Sequence, residues 1–139
     1  MGALRYQEPE FIANVLARQQ AKQAHMFEAI LIKEGLVTEG AVSNVMVVRG
    51  GAVMTAQEGP RILSGVTRAV VLELARNEGL PIHERVISQA ELYRADEVFL
   101  TGTTVEVLAV VRVDGNVIGD GRPGSITQRL ATGFTKLVG

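Results

Sequence analysis

The side chains with the most chemical potential in this chain are its only two histidines, His25 and His83, with the carboxylates of Glu28, Glu39 and Glu84. Imidazole and carboxylate together can hold a divalent metal such as zinc, and a bound metal makes a nucleophile of its water at neutral pH. His25 and Glu28 stand three residues apart across what reads as a helix-to-strand junction. His83 and Glu84 are adjacent on a strand and face opposite ways, so they cannot ligate one ion from one chain without distortion. A dimer interface could bring histidines of two chains together. The plainer alternative is that a lone surface histidine is only solvated. There is no cysteine, which excludes disulfides, thiolate zinc sites and a cysteine nucleophile.

Other acid–base candidates are weaker. Asp96-Glu97 reads as a solvated strand end, and Asp114 and Asp120 fall in turns, where aspartate is favoured for backbone reasons. No Ser/His/Asp signature, P-loop or dinucleotide fingerprint is legible. The glycine-rich stretch 119–124 lacks the strand-to-helix context of a phosphate loop.

The elements that must position these groups follow from periodicity. Pro9 is a helix start signal, and Ile12, Val15, Leu16 and Gln19 share one face of a helix expected from Glu10 to about Gln23. Phe27–Lys33 reads as a strand ending in a Glu34-Gly35 turn. Ser43–Arg49 is a second strand, and Gly50-Gly51 closes a hairpin into Ala52–Thr55. A loop at 57–60 precedes a helix from Gly65 to Asn77, with Val66, Val70 and Leu74 recurring every four residues, Gly79 as its C-cap and Pro81 beyond. Ile82–Ile87 reads as one strand. Ser88 and Glu91 form a capping box for a short helix. Glu97–Thr101 and Glu106–Val113 are strands, Asp114-Gly115 turns into Val117-Ile118, and Ser125 caps a last helix to about Leu137. This is a single α/β (α+β) domain of mixed, mostly antiparallel strands with flanking helices.

The 139 residues suit one domain, and 47% hydrophobic against 21% charged residues is a globular balance. With a net charge of −1 and no basic run, a nucleic-acid scaffold role is disfavoured. The N-terminus has no apolar signal core and no apolar run reaches membrane length. The expectation is a cytoplasmic protein that does not touch a membrane.

Several segments resemble one family. Residues 14–21 read NVLARQQA, 28–32 EAILI, 37–46 VTEGAVSNVM, 62–68 ILSGVTR and 96–104 DEVFLTGTT, followed by Glu106-Val107. In this order they resemble the PLP-binding C-terminal half of the class IV aminotransferases, the D-amino acid and branched-chain group, from about residue 14 to the end. Singly each has a bland reading: Thr38-Glu39-Gly40 as a turn, Thr103-Thr104 as solvated hydroxyls, Gly65–Arg68 as an ordinary helix start.

The resemblance implies the site. Glu39 would accept a hydrogen bond from the protonated pyridine nitrogen of pyridoxal phosphate (PLP), which keeps the ring an electron sink. The amides of Val66 and Thr67, at a helix N-terminus, would cradle the phosphate with the Thr67 hydroxyl. Thr104 would face the phosphate, the Gly102-Thr103 backbone the ring or substrate, and Asn44 would support the ring side. The family's Schiff-base lysine stands seven residues before the Asn of the NVLA segment, and here that position is Gln7, which is not basic. The lysines present are Lys22, Lys33 and Lys136, none of them at the family's position. Residues 1–13 are read as a divergent segment and 14–139 as the aminotransferase-like domain.

Three functions follow as expectations. The first is a truncated domain without transaminase activity, retaining affinity for PLP or phosphate but forming no Schiff base. The second is a repurposed metal-dependent phosphate-ester or phosphodiester hydrolase that uses the old phosphate cup, with His25, His83 and Glu28 as metal ligands. The third is the binding half of a split enzyme. The family's N-terminal domain, which would cover this cup, has no counterpart in the segments matched. A small phosphorylated molecule is therefore the expected ligand, and a homodimer the expected assembly.

Overall fold

The computed structural model describes residues 11–18, 25–33, 36–40, 43–57, 65–103 and 105–138. They form ten strands in one sheet, with three helices. The strands are β1 (Phe11–Arg18), β2 (His25–Lys33), β3 (Leu36–Gly40), β4 (Asn44–Arg49) and β5 (Ala52–Thr55). After helix α1 (Val66–Asn77) come β6 (Ile82–Glu84), β7 (Ile87–Ser88) and helix α2 (Gln89–Tyr93). There follow β8 (Glu97–Gly102), β9 (Glu106–Val113), β10 (Asn116–Val117) and helix α3 (Ser125–Val138).

The strand order is β6-β5-β4-β8-β9-β1-β2-β3-β7, with β10 beside β9. All these pairings are antiparallel except β5–β6. That parallel pair is the one joined through a helix, because parallel strands need a crossover long enough to carry the chain back. The two-residue turns at Gly50-Gly51 and Asp114-Gly115 take positive φ at both positions, the conformation whose twist matches a tight antiparallel hairpin.

The two ends of the strand order, β6 and β7, are separated in sequence by Arg85 and Val86 alone. A two-residue link spans only about 7–10 Å, so the sheet must curl until its edges nearly meet. Consistently, β3 lies against β4 although the two are far apart in the strand order. One core fills the face shared by β1–β5, β8 and β9, with Ile30, Val45, Val47, Leu100 and Leu108, and Leu92 of α2 closes it. The other face packs Met46, Val48, Val53 and Phe99 against Val71, Leu72 and Ala75 of α1 and Leu130 and Phe134 of α3. The alternation of Val45/Val47 and Met46/Val48 between the two cores is the period-two signature of a strand buried on both sides.

Two expected elements differ. Phe11–Arg18 is a strand, not the start of a helix to Gln23, whose residues 19–24 lie outside the described set. It pairs along its whole length with β2 and from Val15 to Arg18 with β9. Filling a central slot in the sheet outweighs the helix propensity of the alanines and arginine. The single strand expected at Ile82–Ile87 is two strands on opposite sheet edges, because the seam between the edges falls at Arg85-Val86.

Asp96 and Glu97 are not merely solvated. The Gly50 amide donates to Asp96 Oδ2 at 2.8 Å. Glu97 accepts from the amides of Ile126 (3.2 Å) and Thr127 (2.8 Å) and from the Thr127 hydroxyl (2.7 Å). The carboxylate that holds the start of α3 is therefore supplied by β8, in place of the cap expected from Ser125. Among the described residues, no helix is long and apolar enough to cross a membrane.

Candidate functional site

Helix α1 begins after Gly65, whose φ of −106° and ψ of 140° are extended, and no side chain caps it. Its first turn, Val66-Thr67-Arg68, carries no acidic residue. The first amides of an α-helix have no partner within the helix, and with the dipole they form an anion-directed end. A helix of this length usually recruits a Ser, Thr, Asp or Asn side chain there. The sequence places glycine instead, and the reason is steric. A Cβ on Gly65 would stand 2.7 Å from Asn44 Oδ1, well inside van der Waals contact.

Asn44 opens β4, is buried, and pairs in register with Thr101 of β8. Thr101 is fully buried, and its Oγ1 finds no hydrogen-bond partner among the described residues. Gly102 follows at the buried end of β8, and Thr103 stands exposed in the turn beyond it. The structure thus brings Asn44, Gly65, Val66, Thr67 and Gly102 to one end of the sheet. Thr67 is buried, whereas Val66 is 82% exposed. Glu39 lies on β3, in register with Leu31, and β3 runs against β4. Thr104 and Gln7 lie outside the described residues.

Three members of this neighbourhood are missed by sequence reasoning. Thr101 reads only as a strand residue, although strand alternation places it two positions from Phe99. Gly65 reads as a helix start and not as a point of close approach. Arg68 sits in the first turn of α1 with its side chain 3% exposed, and donates from Nη2 to Glu84 Oε1 at 2.8 Å and to the Ala56 carbonyl at 2.9 Å. An arginine in a helix-start motif gives no sign from sequence that it will be buried.

Of the expected metal ligands His25, His83 and Glu28, only His83 has its side chain among the described residues. His25 and Glu28 both lie on β2, in register with Arg18 and Val15, so no helix-to-strand junction separates them. His83 pairs with Met54 and lines a shallow recess of about 430 Å³ with Arg49, Ala52, Met54, Arg85 and Glu91. Two guanidinium groups there oppose a cation. The one carboxylate, Glu91, is already held by Arg85 at 2.7 Å, and that hydrogen bond, with one from the Ser88 backbone, lowers its pKa to about 2. Glu84 faces the other way, toward Arg68 and Arg76. Among the described residues, no group of three or more His, Asp or Glu could hold a metal ion.

A phosphorylated cofactor fits the first site better than a metal fits the second. The uncapped helix end presents amide donors, Gly65 lets the backbone approach Asn44, and the Thr101 hydroxyl lies buried with bonding capacity to spare.

The family model described as amino-transferase class IV matches residues 5–113. D-alanine aminotransferase of Bacillus licheniformis is 46% identical over 119 residues, which is 86% of this chain and 42% of that protein. A putative branched-chain-amino-acid aminotransferase of Methanocaldococcus jannaschii is 39% identical over 125 residues, 89% of this chain and 43% of that protein. Among solved structures, the branched-chain amino acid aminotransferase of Thermobaculum terrenum, in its PLP form, superposes with a TM-score of 0.76 at 38% identity, over 80% of this chain and 37% of that one. The chain therefore spans less than half the length of these relatives.

Proposed function

Because the chain belongs to the class IV aminotransferase family, we propose that it binds pyridoxal phosphate non-covalently through the phosphate and does not transaminate by itself. The observation that supports this most directly is the uncapped start of α1 at Gly65-Val66-Thr67, set against Asn44 and the end of β8. The Val66 and Thr67 amides and the Thr67 hydroxyl bind the phosphate, with Thr104 completing the cup. Asn44 and the Gly102-Thr103 backbone flank the ring. Glu39 keeps the proton on the ring nitrogen. The cofactor, when bound, supplies an electron sink. Proton transfer and covalent attachment need an amine, and Gln7 at the family's lysine position offers only an amide.

Self-association belongs to the same reading, since the family's N-terminal domain, which would cover this cup, has no counterpart in the segments matched and a second copy would cover the exposed face.

The test is equilibrium dialysis of the purified chain against PLP, followed by borohydride treatment and intact-mass measurement. The expected result is saturable binding with no mass added by borohydride, and no turnover of D-alanine with a 2-oxo acid. A Gln7→Lys chain should gain the reduced cofactor's mass. Absence of PLP binding, a covalent adduct on the unaltered chain, or transaminase turnover would each overturn the proposal.

A further inference from the structure

We infer that Arg68 and Glu84 are positioning residues for the phosphate cup, forming a buried clasp that fixes the direction of the first α1 amides. This rests on the reading of that helix end as a phosphate site. Arg68 is the third residue of α1, next to the two amides assigned to the phosphate. Its guanidinium is almost wholly buried, and burying an ion is costly unless it is well paired. Nη2 meets two partners at once, the Ala56 carbonyl at 2.9 Å and Glu84 Oε1 at 2.8 Å. Ala56 directly follows β5, and Glu84 ends β6. One side chain therefore ties the start of the crossover helix to the ends of both strands that the helix connects.

On its other flank the same turn is set by the close approach of Gly65 and Asn44. The turn is thus fixed from two sides. Amide donors capture an anion well only when they are oriented before it arrives, so that no ordering cost falls on binding. Because Glu84 neutralises Arg68, the clasp supplies geometry rather than net positive charge. Glu84 is about one-third exposed along an open groove of about 660 Å³ and is shared with Arg76 at 3.7 Å. It can therefore be changed without cutting a hole in either core.

The experiment compares binding of PLP and of pyridoxal, which lacks the phosphate, to the unaltered chain and to Glu84→Gln, Arg68→Lys and Glu73→Gln variants. Each is measured well below its melting temperature. Glu84→Gln should weaken PLP binding about tenfold while leaving pyridoxal binding unchanged. Arg68→Lys, which keeps the charge and can still reach one of the two partners, should fall between. Glu73, 66% exposed and bridged only to Arg76 among the described residues, should leave both unchanged when altered. A merely structural clasp would lower the melting temperature without changing the PLP-to-pyridoxal ratio, and that result overturns the inference while the proposed function stands. Failure of the unaltered chain to bind PLP overturns both.

Discussion

Asn44 Oδ1 lies where a side chain on residue 65 would begin, 2.7 Å from the position of a Gly65 Cβ. The strand that opens the candidate site and the helix that closes it meet at a point with no room for a methyl group.

Gly65→Ala tests that contact. The backbone at Gly65 is extended, so alanine introduces no dihedral strain and the whole effect comes from displacing Asn44. We expect a stability loss of about 1 kcal/mol, read by thermal or urea unfolding, and a larger proportional loss of PLP affinity. Adding Asn44→Ala to Gly65→Ala should relieve the overlap, so the pair should cost less than the sum of the two single changes.

The carboxylate of Glu97 should be the main anchor of the last helix. Glu97→Ala removes the acceptor of two α3 amides and one hydroxyl, and should cost about 1–2 kcal/mol. Glu97→Gln, which retains one acceptor oxygen, should cost less. Gly124→Ala should be worse than either, because its Cβ would fall on the Glu97 side chain. Hydrogen exchange of the α3 amides, measured beside global unfolding, would show whether the loss begins at that helix.

Acid should loosen the Arg85–Glu91 pair at the sheet seam. Glu91 has its pKa lowered from 4.5 to about 2, first by the Arg85 hydrogen bond and then by the Ser88 amide. A carboxyl depressed in the folded state stabilises it above the unfolded pKa, and the benefit is lost as pH falls through the folded one. The pair's contribution should therefore be constant at neutral pH and disappear between about pH 4.5 and pH 2. Both side chains are substantially exposed, so salt should diminish it. Melting temperature against pH for the unaltered chain and Glu91→Gln should converge at the acid end. Curves that stay parallel down to pH 2 would refute the assignment.

Much of this fold is legible in the sequence because local signals are strong. The paired glycines 50 and 51, Asp114-Gly115 and the Ser88–Glu91 capping box each act over a few residues, whereas the face of α1 expected from Val66, Val70 and Leu74 is turned toward Val71, Leu72 and Ala75. The strand at Phe11–Arg18 is not legible. Its alanines and arginine suit a helix, and what makes it a strand is a slot between β2 and β9 that no local window contains. The site divides in the same way. Val66, Thr67 and Gly102 can be placed because they sit in ordered motifs. The roles of Thr101, Arg68 and Glu97 depend on partners 12 to 57 positions away in sequence, and residue type alone does not announce such pairings.

The place of β1 in the sheet also bears on how the chain comes to be folded. β1 precedes the other described strands along the chain, yet it is central, and its neighbour β9 follows only after nearly every other element. The hairpins β1–β2 and β4–β5 can close early, on local contacts. The join between Leu16 and Arg112 has to wait for loop closure across most of the molecule, a step that slows folding in proportion to how non-local it is. A nascent chain that stalls before β9 would be vulnerable to edge-to-edge pairing with its neighbours, so the strand that arrives late in the sheet's middle also guards the protein against aggregation.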